Sequence, residues 1–300
     1  MPIMKLLKLG VALAVAFTLG LLIYGGLRLH YMVKRPEKSQ LTFRTPEGIV
    51  YEKKIWEKPG AIIWHIVKIP LDGGLELVST RQDPSSTWDT LGQTTLGFAK
   101  EFDTLLATNG SHFGPFRSNN HFDYYPKSGD PVDIQGRAKV DGILFSDNYP
   151  RNPVLAWNGE RAAIYGDQPI PETETLYIPG GKRLIQAGEI VVRFRPDKKE
   201  PRTAVGISNG GKTLWVVVVD GRQGGYSVGV TMFELANFMF RFGMQEAISM
   251  DGGGSTSLVM KMESGNGYRQ QVMNAPYHTR FPLRLRPVAN SLGVRKKPPP

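Results

Sequence analysis

The chain contains no cysteine in its 300 residues. Disulfide bonds, zinc sites built from thiolates and lipid attachment to an N-terminal cysteine are therefore all excluded. A domain that folds outside the membrane needs none of these features, so their absence leaves its compartment open.

The body of the chain also has little excess charge. Of the formal net charge of +10, residues 1–40 carry +5 and residues 291–300 carry +3, which leaves +2 for residues 41–290. The basic excess therefore lies beside an apolar N-terminal segment and in a tail, where anionic lipid headgroups or solubility account for it. No nucleic-acid partner is predicted.

One long uncharged run is present, from Leu9 to Leu27. At about 1.5 Å of rise per residue, such a helix can cross a bilayer core of about 30 Å. A cleaved signal peptide is the alternative, but the run is long for one and no clear small-x-small cleavage site follows it. We predict an uncleaved anchor over residues 1–35 that enters the membrane through residues 9–27. Basic residues flank both ends, so charge does not fix the orientation.

The remainder divides into a Pro- and Gly-containing linker at 36–48, a folded domain at 49–294 and a basic, Pro-rich tail at 295–300. An apolar content of 41% is enough for a packed core. Short β-rich runs separated by turn residues, with few helical segments, predict an α+β fold: a mixed, strongly twisted β-sheet flanked by a few helices.

The clearest local organisation is a strand, a helix and a second strand. The β-branched run Thr213 to Val219 is typical of a strand buried on both faces. Thr231 and Glu234 match a capping box, and the helix that they begin should stop at Gly243. Residues 247–250 form the next strand. Such units are nearly always parallel with a right-handed crossover.

Two aspartates follow these strands directly. Asp220 and Asp251 should open onto one crevice, about 4.8 Å apart if the strands are adjacent and about 10 Å apart with one strand between them. These values bracket the carboxylate separations in glycosidases, about 5 Å for retention and about 6.5 to 9.5 Å for inversion. The alternative is that each aspartate simply ends a strand.

A glycine run follows the second aspartate. Without side chains, Gly252, Gly253 and Gly254 can turn successive N–H groups toward one point and form a concavity for an anion. An Asp-Gly hairpin turn is the alternative. The third glycine and the hydroxyl groups of Ser255 and Thr256 exceed what a tight turn needs, so we predict that these residues contact substrate.

His112 is a further candidate, in a polar segment after an apolar strand. With His121 it could contribute to a metal site, but His121 lies nine positions further along the chain and no regular element carries the two. A hydrogen-bonding or acid role is equally consistent with its position. No cofactor is predicted.

Several motifs, in order, resemble the phosphodiester glycosidase family from about Ala61 to Val294. They are Pro201 to Gly206, Val219 to Arg222, Gly225 to Gly229, Asp251 to Thr256 and Arg286 to Val294. The family usually has Asn-Gly-Gly-Phe-Phe where this chain has Asn109-Gly110-Ser111-His112-Phe113.

The resemblance implies hydrolysis of a sugar 1-phosphodiester at the glycosidic C–O bond, here of an envelope or extracellular phosphoglycan. It implies that Arg202, Arg222 and Arg286 bind the phosphodiester through charge-assisted hydrogen bonds. Asn109 and Asn274 would orient sugar hydroxyls. The folded domain would then lie outside the cytoplasm, in a periplasm or at the cell surface.

In this interpretation Asp251 performs acid-base or nucleophilic chemistry, with Asp220 as its partner. Two other interpretations remain open. One is a metal-dependent phosphodiesterase that uses both aspartates with His112 and His121. The other is an envelope glycan-binding domain without turnover.

Overall fold

A computed structural model describes residues 2–57, 60–71, 74–85, 87–194, 197–265 and 267–298. Of the tail at 295–300, Pro299 and Pro300 lie outside this range, as does Met1 of the anchor. The α-helices in the described residues are α1 Pro2–Val33, α2 Thr95–Glu101 and α3 Met232–Arg241.

The rest of the ordered backbone is β-structure. The strands of the first part are β1 Leu41–Arg44, β2 Val50–Trp56, β3 Ile62–Pro70, β4 Leu75–Ser79, β5 Thr90–Leu91, β6 Gln93–Thr94, β7 Leu106–Asn109, β8 Phe113–Gly114, β9 Arg117–Ser118 and β10 Tyr124–Tyr125. Those of the middle part are β11 Pro131–Ile134, β12 Arg137–Val140, β13 Ile143–Asp147, β14 Val154–Trp157, β15 Ala162–Tyr165, β16 Leu176–Pro179, β17 Arg183–Gln186, β18 Glu189–Ile190, β19 Arg202–Ser208 and β20 Thr213–Val219. The last are β21 Glu246–Ser249, β22 Leu258–Ser264, β23 Gly267–Val272, β24 Tyr277–His278, β25 Phe281–Pro282, β26 Pro287–Val288 and β27 Ser291–Lys296.

Three sheets carry most of these strands. The largest has eight strands in the order β1-β2-β3-β20-β19-β21-β17-β18, and two five-stranded sheets have the orders β23-β22-β7-β27-β4 and β13-β12-β16-β14-β15. A mostly β protein with few helices confirms the predicted α+β class. The ladders between these strands are all antiparallel, however, so the sheet is not mixed at the level of neighbouring pairs.

The predicted strand-helix-strand unit is present as β20, α3 and β21. Both strands pair antiparallel with β19, which lies between them, so β20 and β21 run in the same direction. The strands are therefore parallel but not adjacent. The capping box of α3 is formed, since Glu234 N–H donates to Thr231 Oγ1 and Thr231 N–H donates to a Glu234 carboxylate oxygen. The helix stops at Arg241, before Gly243 with its positive φ of 78°.

The core explains why β20 is so apolar. Val216 and Val218 point into a cluster shared with the two five-stranded sheets. Val217 and Val219 point to the opposite face, which α3 covers with Leu235 and neighbouring apolar residues. The strand is thus buried on both faces, as its sequence predicts.

The segment predicted as a linker at 36–48 contributes to the large sheet. Its residues Leu41–Arg44 form β1, which pairs with β2 over four residue pairs. Backbone carbonyl groups before β1 are also bound, because Tyr226 Oη donates to Pro36 O and Lys53 Nζ donates to Glu37 O. At the other end, β27 continues to Lys296, two residues beyond the predicted domain boundary at 294.

Candidate active site

The backbone of Asp251 is fixed from a neighbouring sheet. It follows β21, and its N–H donates to Gly110 O at 3.0 Å while its carbonyl accepts from Asn109 Nδ2 at 2.7 Å. Asn109 is fully buried, and its Oδ1 accepts from Thr203 Oγ1 and Ser257 N–H. Its amide group is therefore engaged by the protein on both sides. The predicted contact of Asn109 with a sugar hydroxyl is not what the structure provides.

The carboxylate of Asp251 accepts three hydrogen bonds. Oδ1 accepts from His112 Nδ1 at 3.0 Å and from Gly252 N–H at 2.9 Å, and Oδ2 accepts from Ser255 Oγ at 2.5 Å. Burial acts to raise its pKa, but the bond from His112 and the charges of His112 and Arg286 outweigh it, so the pKa lies below its ordinary value. In return, the hydrogen bond to Asp251 raises the pKa of His112. The side chain of Asp251 is 15% exposed and that of His112 is 42% exposed, so the pair remains reachable from solvent.

This pair lines a cavity of about 790 Å³. The lining residues are His112, Phe116, Ser118, Glu200, Arg202, Arg222, Asp251, Gly252, Gly253, Gly254, Tyr277, Thr279, Arg280 and Arg286. Four guanidinium groups face two carboxylates there. The cavity therefore favours an anionic ligand and places a carboxylate beside it.

The three arginines suggested by the family resemblance all reach the cavity. Arg202 donates from Nε to Val230 O at 3.1 Å, and burial lowers its pKa. Arg222 forms an ion pair with Glu200. Arg286 donates to Ser255 Oγ at 3.1 Å, which connects it to Asp251 through one hydroxyl group.

Arg286 is the most enclosed of the three. Burial lowers its pKa to about 10, against the opposing charge of Asp251, so it is still a cation at neutral pH. Its Nε donates to His278 Nδ1 at 3.2 Å, and its guanidinium lies over the ring of Phe116. Burial and Arg286 lower the pKa of His278 to about 3, so His278 is neutral and can accept that bond.

The three glycines line the cavity, at the place where an anion-binding concavity is predicted. Gly252 N–H donates to Asp251, and Gly253 N–H donates to Pro201 O at 2.8 Å, so two of the three amides have protein partners. A Cβ on Gly253 would lie 2.9 Å from Arg222 Nη2, and one on Gly254 would lie 2.4 Å from Arg286 Nη2. The missing side chains thus let two guanidinium groups lie directly on the backbone.

The hydroxyl residues after the glycines are buried. Ser255 is 1% exposed and uses its hydroxyl between Asp251 and Arg286, and Thr256 is also 1% exposed. Neither lines the cavity. The chain turns inward after Gly254 to enter β22, so the two hydroxyl groups lie behind the cavity wall, and Ser255 reaches the cavity through its bonds to Asp251 and Arg286.

The structure also separates the two aspartates that were expected to face one crevice. Asp220 is fully buried: Oδ2 accepts from His65 Nε2 at 3.0 Å, and Oδ1 accepts from Asn274 Nδ2 and Ala275 N–H. It is not among the residues that line the cavity. Its side chain turns into the core because His65, itself bound to Tyr51 Oη, offers a donor there.

Asn274 is likewise a buried connector. Besides Asp220, its Nδ2 reaches Thr256 O at 3.3 Å, and its Oδ1 accepts from Leu258 N–H at 2.9 Å. It therefore supports the chain just after the glycine run. The expected contact of Asn274 with sugar is not present in this geometry.

The four residues of the metal alternative are not brought together. Asp251 is paired with His112, Asp220 with His65, and His121 contacts Tyr24 Oη and Thr279 O. Within the part of the chain that the structure describes, no three His, Cys, Asp or Glu side chains converge as metal ligands would.

Several lining residues were missed from the sequence, namely Phe116, Ser118, Glu200, Tyr277, Thr279 and Arg280. Arg280 carried a usable signal. It lies in Tyr277-His278-Thr279-Arg280, a polar segment between two Pro residues and upstream of the motif at Arg286. The sequence gave no signal for Glu200, because its place in the cavity follows from its contact with Arg222.

A multi-sheet β fold with an arginine-lined cavity and a hydrogen-bonded carboxylate is suited to binding an anionic ligand. The phosphodiester glycosidase family model matches residues 104–295, and these include Asp251 and the four lining arginines. The chain belongs to the phosphodiester glycosidase family. No curated protein matches it.

Solved structures share the fold at low identity. The catalytic domain of zebrafish N-acetylglucosamine-1-phosphodiester α-N-acetylglucosaminidase, auto-inhibited by its pro-peptide, has a TM-score of 0.56 at 18% identity over 89% of this chain and 93% of its own. A hypothetical protein from Synechocystis has a TM-score of 0.61 at 15% identity over 87% of this chain, which spans 64% of that protein's length. A protein of Burkholderia pseudomallei described as exported has a TM-score of 0.55 at 15% identity, over 78% of this chain and 74% of its own.

Proposed function

We propose that the protein hydrolyses the glycosidic C–O bond of a sugar 1-phosphodiester. The observation that carries this proposal is the cavity in which the ionised carboxylate of Asp251 lies beside Arg286, with Arg202 and Arg222 on the same lining. A phosphodiester is a monoanion that guanidinium groups bind well. The anomeric carbon attached to it would then lie beside Asp251.

In the proposed step, the bond between C1 and the phosphate oxygen breaks and its electron pair leaves with the phosphomonoester. Water supplies the oxygen that bonds to C1. Because phosphate is a good leaving group, the main requirement is to stabilise positive charge at C1, which a carboxylate of lowered pKa does while remaining ionised. The proton of the attacking water passes to Nε2 of neutral His112, whose Nδ1 donates to Asp251, and the hydrogen bond to Asp251 that raises the pKa of His112 favours this transfer.

Asp220 has a supporting role in this proposal. It holds the segment at Asn274 and Ala275, which in turn supports the chain after the glycine run, and it does not line this cavity. The partner of Asp251 in the chemistry is therefore His112.

The test is a panel of sugar 1-phosphodiesters offered to the full-length protein in water enriched in oxygen-18. Label in the released sugar supports cleavage at C1. Label in the phosphate would instead make the protein a phosphodiesterase, and loss of activity after chelation would favour the metal-dependent mechanism. Binding of glycan fragments without any product would favour the glycan-binding alternative.

We further propose that α1 holds the domain at the membrane outside the cytoplasm and that the substrate is an envelope phosphoglycan. Residues Leu7–Val33 form a helix that is long and apolar enough to span a bilayer, and its most apolar window is entirely unburied. A periplasmic or cell-surface location places a glycosidase of this type among its substrates. Protease treatment of intact cells, which should cleave the domain only if it lies outside, checks this location.

A further inference from the structure

The apolar helix and the candidate active site are joined by a short hairpin, β24 and β25, spanning Tyr277–Pro282. Phe281 contacts the ring of Tyr24 at 6.1 Å and that of Tyr31 at 5.4 Å between centroids, both on α1. Thr279 and Arg280, at the tip of the same hairpin, line the cavity. One face of the hairpin thus meets the helix while its tip forms the cavity wall.

A hydrogen-bonded path makes the same connection. Tyr24 Oη lies 2.9 Å from His121 Nε2, and His121 Nδ1 contacts Thr279 O. Since a carbonyl can only accept, Nδ1 is the donor to it. Arg284 reinforces the contact by donating to His121 O at 2.7 Å and to Thr279 Oγ1 at 3.0 Å.

The tip of this hairpin adopts an unusual backbone. Thr279 and Arg280 have φ angles of 50° and 62°, the left-handed conformation of a tight primed turn, although neither is glycine. Such positions persist where surrounding contacts fix them, and they concentrate at functional sites. Here the contacts to Thr279 come from His121 and Arg284 within the domain, and α1 packs on the outside of this arrangement through Tyr24 and Tyr31.

The depth of the contact in a membrane follows from the helix. Arg28 is the first charged residue after the uncharged run. At about 1.5 Å per residue, Tyr24 lies about 6 Å before Arg28 and Tyr31 about 4.5 Å beyond it. The two positions are about 10 Å apart along the helix and lie on either side of the boundary between the hydrocarbon core and the headgroup layer, a boundary region where Tyr side chains are enriched. Phe281, which contacts both, lies at the same level.

A fully exposed aromatic residue lies next to this contact. Phe122 follows His121 and is 86% exposed, and Phe116 on the cavity lining is 46% exposed. An exposed Phe side chain gains free energy when the interfacial region of a bilayer removes it from water. Both residues belong to the segment that reaches from the cavity to α1.

Resting on the proposed function, we infer that the substrate is a lipid-linked sugar: a phosphodiester that joins C1 of the sugar to a lipid alcohol embedded in the same membrane as α1. The phosphate of such a lipid lies in the headgroup layer, at the level of the hairpin, and its tail stays in the bilayer. The cavity takes the sugar and the phosphodiester together. A soluble or polymeric phosphoglycan would reach the cavity at any distance from the membrane, so it would not require the cavity to lie at the headgroup layer.

The experiment uses the full chain in phospholipid vesicles and two substrates with the same sugar. In the lipid substrate, the C1 phosphodiester carries a long-chain alcohol that is incorporated in the bilayer. In the methyl substrate, the C1 phosphodiester carries a methyl group and is soluble in water. A variant carries Tyr24→Ala and Tyr31→Ala with a flexible Gly/Ser spacer of about 20 residues after Val33, which frees the domain from its fixed height. We expect this variant to lose about tenfold or more in kcat/KM on the lipid substrate, because the local concentration at a fixed depth is lost. Its rate on the methyl substrate should not change.

A gentler pair of variants removes one exposed aromatic each. Phe122→Ser should slow only the lipid substrate, whereas Phe194→Ser should slow neither, since Phe194 is similarly exposed at 72% but lies against Phe233. Two results would overturn the inference and leave the proposed function unaffected. One is an equal kcat/KM for the methyl and lipid substrates, and the other is an unchanged kcat/KM for the lipid substrate in the spacer variant. Failure to cleave either substrate would refute the proposed function itself.

Discussion

At the scale of single residues, the site depends on how Asp251 is held. Its carboxylate accepts from His112, Gly252 and Ser255, and its backbone is fixed on both sides by Asn109 and Gly110. A carboxylate bound in this way has little freedom and a low basicity, which suits charge stabilisation better than proton transfer.

The first prediction concerns Asp251→Asn. The amide keeps the shape but removes the charge that faces C1, so we expect kcat to fall by about a hundredfold or more, a loss typical of a removed electrostatic contact at a transition state. Melting temperature and circular dichroism should show an intact fold. Near-normal turnover of the folded variant would remove Asp251 from the chemistry.

Asp220→Asn should behave differently. Asp220 is buried and accepts from His65, Asn274 and Ala275. The amide would present donors toward His65 Nε2–H, so we expect the free energy of unfolding to fall by about 2 kcal/mol while kcat changes less than tenfold. Urea unfolding and kinetics on the same preparation separate the two effects. If the variant has normal stability but no turnover, Asp220 takes part in the reaction.

The pair of Asp251 and His112 sets a pH dependence. The folded pKa of His112 is raised, so its contribution to stability is complete below its ordinary value of 6.5 and is lost as pH rises through the higher folded pKa. The folded pKa of Asp251 is lowered, so its contribution is complete above 3.8 and is lost as pH falls through the lower folded pKa. Both contributions are present between those two ordinary values.

We therefore expect the melting temperature to be highest between about pH 4 and 6.5 and to decline on the alkaline side through titration of His112. His112→Gln should remove that alkaline decline. Differential scanning calorimetry across pH for both proteins measures it. An alkaline decline that persists unchanged in the variant would assign it to another group.

The sequence located Asp251 because an apolar strand ends there and three glycines follow. It could not show that Asp220, with the same strand-end position, points inward, since that direction depends on His65, which lies 155 residues earlier in the chain. Nor could the sequence show that the side chains of Asn109 and Asn274 are bound by other parts of the protein. A residue type at a given position does not distinguish a side chain that contacts substrate from one that supports the site.

At the scale of elements, the glycine run at 252–254 matters because its missing side chains leave space for guanidinium groups. Gly254 has no positive φ, so a substitution there tests volume alone. A Cβ would lie 2.4 Å from Arg286 Nη2 and would displace that guanidinium. We expect Gly254→Ala to raise KM by about tenfold, the size of one weakened charge-assisted hydrogen bond.

The matched control is Gly267→Ala, at a glycine whose Cβ would meet no atom within 4 Å and whose φ is also ordinary. Its kinetics should equal those of the unaltered protein. If Gly254→Ala leaves KM unchanged in the same assay, the position of Arg286 does not depend on the glycine.

The large elements were the most predictable part of the fold. Four consecutive valines in β20 and the capping box of α3 are local signals, and both are confirmed. The position of β19 between β20 and β21 depends on long-range strand pairing, which no local sequence pattern predicts. Likewise, the Pro-containing segment at 36–48 lacks strong strand signals, yet β1 forms there because β2 offers an open edge.

At the scale of the whole molecule, the proposed location of the domain depends on the helix α1. Its apolar composition was evident from the sequence, but its contact with the hairpin beside the cavity was not. The carbonyls of Pro36 and Glu37 are bound by Tyr226 and Lys53, so the domain is tied to the chain immediately after the helix.

The last prediction tests whether α1 is kept. An uncleaved span should hold the full chain in the membrane fraction through a high-pH carbonate wash, and a protein that begins at Pro36 should be recovered in the soluble fraction. Since residues from Pro36 onward retain the contacts with Tyr226 and Lys53, the shortened protein should fold and should keep its activity on a water-soluble substrate. The intact mass of the membrane-bound protein is the decisive control. A mass that lacks about the first 30 residues, together with release into the soluble fraction, would identify α1 as a cleaved signal sequence.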